Sequence, residues 1–345
     1  MWMKKLVEQA LQPHEPGTGQ VDPKPENNDE YMPTIYAIGC GEAGCKAIQR
    51  VAEKKIPGII TVAVDTNREH LSAIIADHKI PIGDPNIVGH GAGGLPHIGK
   101  KAAEESIAEI SARITSPDYV FIITRLGGGT GTGAAPVIAQ IARDIGARVI
   151  VFCFWPFRVE MRRERIAEEG GKYLLSTADS VILLDINKLF RYIPGLPRDH
   201  AFTVMNELVA ETIASLVELF RSPFLDGNPF PTLLGKRGLA VLLAGESFPQ
   251  NFPESSVREC LGHPLFDIDY LKAKGCIVCI NGGTDLTLQD ADEIATSITY
   301  DLDSHAEVIW GARVREDYKE EVRIIALMTG LNVEGPLHPN SWWFP

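Results

Sequence analysis

The sequence has no apolar run near the ~18 residues needed to cross a bilayer; its longer ones, such as residues 149–155, stop far short. It also lacks an N-terminal apolar core followed by a small-residue cleavage site, so neither a membrane span nor a secretory leader is expected. Cysteine is scarce. Cys40, Cys45, Cys153, Cys260, Cys276 and Cys279 are the six thiols in 345 residues, too few for a disulfide framework and placed mostly inside apolar runs. Cys276-Ile-Val-Cys279 has a metal or redox spacing, but no second pair completes it and its neighbours read as a β-strand. Positive charge is short as well. The formal net charge is -12 without a concentrated basic patch, so phosphate backbones and anionic headgroups are repelled, and neither nucleic acid nor direct membrane insertion is expected. The lysine-bearing phosphate loop of ordinary ATPases is also missing. What remains is a cytoplasmic chain, long enough for two packed domains.

Residues 1–11 fit one short amphipathic helix, and residues 12–32 are too rich in Pro, Gly, Asp, Glu and Asn to order themselves. From Thr34 the pattern alternates. Strands are expected at 35–38, 59–64, 119–124, 148–154 and 180–184, and helices at 45–54, 98–114 and 134–145. Such alternation predicts an α/β fold with a Rossmann-like parallel sheet covered on both faces. Residues 201–221 carry a broad apolar stripe through Phe202, Met205, Leu208, Val209, Ile213, Leu216, Val217 and Phe220, which predicts a long central helix between domains. After a Pro- and Gly-rich loop at 222–235, a second α/β unit is expected. Its strands fall at 238–244, 276–281, 307–314 and 321–328 and its helices at 253–261 and 288–302, with the last two strands paired as a hairpin in a mixed sheet. The expected division is thus 1–32 extension, 33–200 nucleotide-binding domain, 201–221 central helix, 222–235 loop, 236–332 C-terminal domain and 333–345 tail.

Two glycine-rich turns follow expected parallel strands, at the edge where open α/β sheets bind ligands. The first, Gly39-Cys-Gly41-Glu-Ala-Gly44, precedes a helix and is followed by Asp65 at the end of the next strand, an arrangement that also suits a dinucleotide. The second, Gly127-Gly-Gly-Thr-Gly-Thr-Gly133, opens a helix whose unpaired N–H groups favour an anion. Its five glycines remove Cβ obstruction, and Thr130 and Thr132 add hydroxyl donors. A dinucleotide needs one such turn. Two turns on one site suit a nucleoside triphosphate.

Gly127–Gly133 followed by Ala-Ala-Pro136 resembles the tubulin/FtsZ signature, and the chain resembles FtsZ in order from Thr34 to Leu331. The matching stretches are Gly91-Ala-Gly-Gly-Leu-Pro96, Ile98-Gly-Lys-Lys-Ala-Ala-Glu-Glu-Ser106, Trp155-Pro-Phe157 to Glu160, His263-Pro-Leu265, Gly282-Gly-Thr-Asp285 and Ile309-Trp-Gly-Ala312. The resemblance implies GTP or GDP held by Gly41, Glu42, Ala43, Gly44, Cys45 and Lys46 together with Gly129, Thr130, Gly131, Thr132 and Gly133. It also implies Glu160 and Arg163 near the ribose, Phe202 stacked on the guanine, Asn206 on the base edge, and Mg2+ held mainly by the phosphates. As partners it implies copies of the same chain in a head-to-tail filament, co-assembly with other FtsZ-type proteins and a membrane-tethering adaptor.

The sequence departs from that pattern in places. Glu42 and Ala43 replace glycines, Lys46 replaces the usual Asn, Asp and Asn are exchanged in Val64-Asp-Thr-Asn67, and Glu164 stands where an Arg is expected. The stretch that the resemblance implies would complete the neighbouring subunit's site reads Arg221-Ser-Pro-Phe-Leu-Asp226-Gly-Asn228-Pro-Phe-Pro231, short and stiffened by three prolines. The resemblance implies an acid that polarises the attacking water from within hydrogen-bond reach, and Asp226 is the nearby acid that would stand in for it. The expectation is therefore a GTP-binding protein of cell division or cell shape with weak or absent hydrolysis. A non-hydrolysing relative and a nicotinamide-dinucleotide oxidoreductase are the alternatives. The chain stops soon after the second unit, and Trp342-Trp-Phe-Pro345 reads as a docking tip or a local packing contact.

Overall fold

The apolar runs of the first half are rich in β-branched and aromatic residues and end in glycine or polar turns, the pattern of strands buried on both faces. A computed structural model of the chain describes residues 32–84, 91–193, 195–222, 229–247, 254–262, 265–266, 268–318, 321–332 and 337. In chain order the first elements are β1 (Ile35–Cys40), α1 (Gly41–Glu53), β2 (Ile59–Asp65), α2 (Arg68–Ala73), β3 (His78–Pro81), α3 (Pro96–Glu105) and α4 (Ile107–Arg113). Next come β4 (Tyr119–Arg125), α5 (Thr130–Asp144), β5 (Arg148–Trp155), α6 (Met161–Thr177), β6 (Ser180–Asp185), α7 (Leu189–Tyr192) and α8 (Arg198–Phe220). The remainder is α9 (Phe230–Leu234), β7 (Gly238–Ser247), α10 (Glu254–Gly262), β8 (Gly275–Gly282), α11 (Leu288–Thr299), β9 (Glu307–Val314) and β10 (Val322–Leu331).

The described strands form one sheet in the order β3-β2-β1-β4-β5-β6-β7-β10-β8-β9. From β3 to β7 every pairing is parallel. Period-two alternation then splits each strand between two cores. Tyr36, Ile38, Val120, Ile122 and Val151 pack with Ala102, Ile110, Ala135 and Ile138 of α3, α4 and α5. Ile35, Phe121, Ile123 and Phe152 pack on the other face with Ile48 and Val51 of α1 and with Met205 and Leu208 of α8. β1 lies between β2 and β4, so the strand order reverses there, the switch point at which open sheets leave a crevice.

Four expectations need correction. β9 and β10 do not form a hairpin: β10 lies antiparallel between β7 and β8, and β9 pairs parallel with β8 at the sheet margin. The sheet is mixed because of this insertion. The helix expected over 98–114 breaks at Ser106 (φ -106°, ψ 12°), whose hydroxyl accepts a bond from the Gly83 N–H at 3.0 Å. α6 and α2 occupy stretches not read as helical, and α9 lies inside the expected loop at 222–235. Finally, α1 and α5 begin at Gly41 and Thr130, several residues earlier than expected, so much of each glycine turn is the first turn of a helix. All six cysteines are free and buried. Burial pushes the thiols of Cys276 and Cys279 on β8 up to about 12, which suits packing and opposes thiolate chemistry.

Candidate nucleotide site

β1 and β4 run parallel in register from Ile35↔Tyr119 to Cys40↔Thr124, so the turns that follow them emerge side by side. Gly41 has φ +73°, and a Cβ there would lie 2.9 Å from the Gly131 nitrogen and 3.4 Å from Thr130 Cβ. The N-termini of α1 and α5 therefore touch. Neither start carries a side-chain cap, at Cys40 or at Gly129. Helix starts leave N–H groups without intrahelical partners and carry the positive end of the dipole, so two such starts in contact form an anion cradle.

A cavity of about 580 Å³ opens over this junction. Gly41, Glu42, Ala43 and Lys46 line it from α1, Gly129, Thr130 and Gly131 from the second turn, Arg163 from α6, and Phe202 and Asn206 from α8. Both cradles thus face one space, with an aromatic ring and an amide in its wall. Gly44, Cys45, Thr132, Gly133 and Glu160 are absent from that wall, and each has another task. A Cβ on Gly44 would stand 2.2 Å from the Ile123 carbonyl oxygen, and one on Gly133 would stand 2.0 Å from that of Pro96. The Cys45 thiol donates towards the Gly39 and Val64 carbonyls, each at 3.5 Å. The Thr132 methyl fills the space left by Gly170 of α6, where a Cβ would come within 2.3 Å. Asp226 lies outside the described residues.

The five glycines of the second turn are there mainly for packing. Gly127 has φ +89° against Arg163, Gly129 lies under Ala92 and Leu95, Gly131 against Thr124 and Arg125, and Gly133 under α3. Gly128 alone among them has open space where a Cβ would stand. Close contact with neighbouring chain accounts for four of these five glycines. The Thr130 hydroxyl is already bonded to that of Thr66 at 2.6 Å, which ties the second turn to the end of β2.

Charges of both signs surround the cavity. Lys46 and Glu42, one turn apart, pair at 2.7 Å, and that hydrogen bond holds the Glu42 carboxyl below its usual range. Asp65, the acid a dinucleotide reading would place on a ribose, is buried, 3.0 Å from Nδ1 of His70. Glu160 sits behind the wall at the centre of an arginine cluster. Its carboxylate accepts from Arg125, from Arg163 at 2.9 Å and from Arg198 at 3.2 Å, and also from the Phe157 N–H at 3.1 Å. The Phe202 ring is not bare: it meets Phe157 edge-on at 5.4 Å, and the Arg125 guanidinium lies over it at 4.9 Å. Sequence reasoning passed over Arg125, His70, Asp199 and Thr203 and noted Asn67 only as a departure, yet all five line the cavity. For Arg125 a signal existed, a charge closing an otherwise apolar strand just before the glycine run.

The model of the Tubulin/FtsZ family GTPase domain matches residues 34–194, and that of the FtsZ family C-terminal domain matches residues 238–332. Cell division protein FtsZ 2 of Haloferax volcanii is 40% identical over 344 residues, covering 98% of this chain and 86% of its own. The empty FtsZ dimer of M. jannaschii superposes with a TM-score of 0.83 at 37% identity, over 88% of this chain and 89% of that one. CetZ2 of Haloferax volcanii, solved as a GTPγS-bound protofilament, has a TM-score of 0.74 at 22% identity over 86% and 92% of the two chains, a likeness of fold. Among the described residues no helix is long and apolar enough to cross a membrane.

Proposed function

The chain belongs to the FtsZ branch of the tubulin/FtsZ family of cell-division cytoskeletal GTPases, and from that premise we propose that it binds GTP and GDP in the cavity between α1 and α5 and assembles head to tail with copies of itself in the cytoplasm. The observation that carries the reading is the meeting of two uncapped helix starts at Gly41 and Gly131, beneath a wall that also holds Phe202 and Asn206. The first turns of α1 and α5 donate N–H groups to the phosphate tail, and Lys46 supplies a cation at the mouth. Asn206 offers both a donor and an acceptor, which matches the mixed edge of guanine. Mg2+ belongs on the phosphate oxygens, since this ion keeps its waters and takes few protein ligands.

In this reading residues 33–200 bind nucleotide, 201–221 form the central helix and 236–332 form the second domain. Hydrolysis is completed by the loop after α8 of a neighbouring copy, with Asp226 polarising water. Other FtsZ-type proteins and a membrane-tethering adaptor are further partners in the same proposal. Because two copies make each catalytic site, phosphate release per molecule should rise with protein concentration. Activity per molecule that stays flat across a wide dilution series would contradict shared-site catalysis. The prolines that the sequence places around Asp226 favour a second reading, in which nucleotide is bound without turnover. Phosphate release unchanged in Asp226→Ala supports that reading or another catalytic group.

A further inference from the structure

Arg125 ends β4, and its side chain turns into the cavity. A guanidinium has donors on several edges in a fixed plane, and two of its nitrogens and one face can be traced here. One edge is bonded to Glu160. One face rests on Phe202 at 4.9 Å, with Phe157 at 5.9 Å. The Nε–H is buried and has no hydrogen-bond partner. A buried donor without an acceptor is costly, and the bond to Glu160 and the contact with Phe202 limit how Arg125 can relieve it within the chain.

The position narrows what can satisfy it. Gly131, in the second cradle, packs so closely on this residue that a Cβ would stand 2.8 Å from the Arg125 carbonyl oxygen. The main chain of Arg125 therefore abuts the phosphate end of the cavity while its guanidinium reaches the aromatic end. Between the two lies the junction of nucleoside and phosphate. The local charge agrees: Arg125, Arg163 and Arg198 converge on Glu160, so three cations face one carboxylate. Burial lowers the pKa of Arg125 and Glu160 opposes that shift, the condition of a cation that would gain from a second anion.

We propose that Arg125 is a further nucleotide-positioning residue, whose guanidinium, held flat by Glu160 and Phe202, binds an oxygen of the phosphate nearest the sugar. The inference rests on the cavity being the guanine-nucleotide site. Glu160 also supplies specificity of geometry, because it fixes the plane of the fork from behind the wall. A lysine at the same place brings charge but cannot lie flat on Phe202 and donate along two directions.

The test measures GDP binding by calorimetry, and GMP and guanosine binding by competition against a fluorescent GDP, for the full chain and its Arg125→Ala and Arg125→Lys variants. Folding should survive, because Glu160 keeps Arg163 and Arg198 as partners; thermal unfolding without nucleotide checks this. Arg125→Ala should weaken GDP and GMP by about tenfold or more and guanosine by less than about threefold, with Arg125→Lys recovering only part of the loss. Equal affinity of wild type and Arg125→Ala for GDP, or an equal loss for guanosine, overturns the role. Failure of the wild-type chain to bind GDP instead overturns the reading of the cavity itself.

Discussion

Two helices at the parallel end of the sheet start differently from one at the mixed end. α1 and α5, at the parallel end, begin on Gly41 and Thr130 with no side-chain cap. α11, at the mixed end, begins with a closed box in which Thr287 Oγ1 accepts from the Asp290 N–H at 3.1 Å and Asp290 accepts from the Thr287 N–H at 3.0 Å. A capped start has spent its donors on its own side chains, whereas an uncapped start keeps them for something else. Strand direction sets the same contrast. Parallel strands deliver successive turns to one edge, so β1 and β4 bring two helix starts together. β10, antiparallel to both β7 and β8, cannot do so. The parallel end is arranged around a ligand and the mixed end around its own stability.

The largest effect should come from the mixed end. Arg323 on β10 bonds Glu211 of α8 at 3.1 Å and Glu246 of β7 at 3.3 Å, and Glu246 is almost wholly buried. Arg323→Ala removes the guanidinium from both carboxylates, leaving Lys54 at 3.5 Å beside Glu211, and should cost roughly 3–5 kcal/mol in urea unfolding. GDP affinity of the folded fraction should hold, and a large affinity loss would break the division of labour drawn above.

At the parallel end two glycines one cradle apart should behave in opposite ways. Gly44→Ala drives a Cβ into the Ile123 carbonyl and should cost about 1–3 kcal/mol or more of stability. Gly128→Ala, whose Cβ meets only open space, should change stability by no more than about 0.5 kcal/mol while weakening GDP binding. Similar unfolding midpoints for the two variants would refute the packing account of these turns. Asn206→Ala should lower GDP affinity by about tenfold and narrow the preference for guanine over adenine nucleotides, as competition binding would report. Thr287→Ala opens the α11 box and should cost about 1 kcal/mol without altering nucleotide affinity.

The smallest effect is a slope with pH. Burial raises the Glu207 carboxyl, but Lys54 at 2.7 Å and Arg50 together outweigh it and hold its pKa below the usual range. A depressed carboxylate stabilises the fold above its unfolded value of about 4.3, and that stabilisation is lost as pH falls through the folded value. The gap in stability between wild type and Glu207→Gln should thus be full at pH 7 and close below about pH 4. A gap independent of pH would show that the pair to α1 contributes nothing electrostatic.

Much of the parallel end was legible because its signals are local: apolar runs for β1, β4 and β5, glycine turns directly after strands, and the stripe on α8. What failed was non-local or mixed in pattern. β9 and β10 are neighbours in sequence, so a hairpin was the economical reading, but β10 finds two buried neighbours by inserting between β7 and β8. α6 goes unassigned because its arginines, glutamates and Gly170-Gly171 dilute the apolar pattern. Those glycines instead admit Thr132 of α5 and Leu337. Within the site, the residues lining the cavity were found where the motif and the open face coincide. Gly44, Cys45, Thr132 and Gly133 belong to the same motifs, and here their side-chain positions face neighbouring parts of the chain.

Titrating GDP, ADP and NADH separately into the purified, nucleotide-stripped chain tests the central claim most directly. The account predicts one GDP bound per chain, ADP far weaker and NADH unable to compete. NADH binding without GDP binding, or GDP and ADP binding alike, would contradict it.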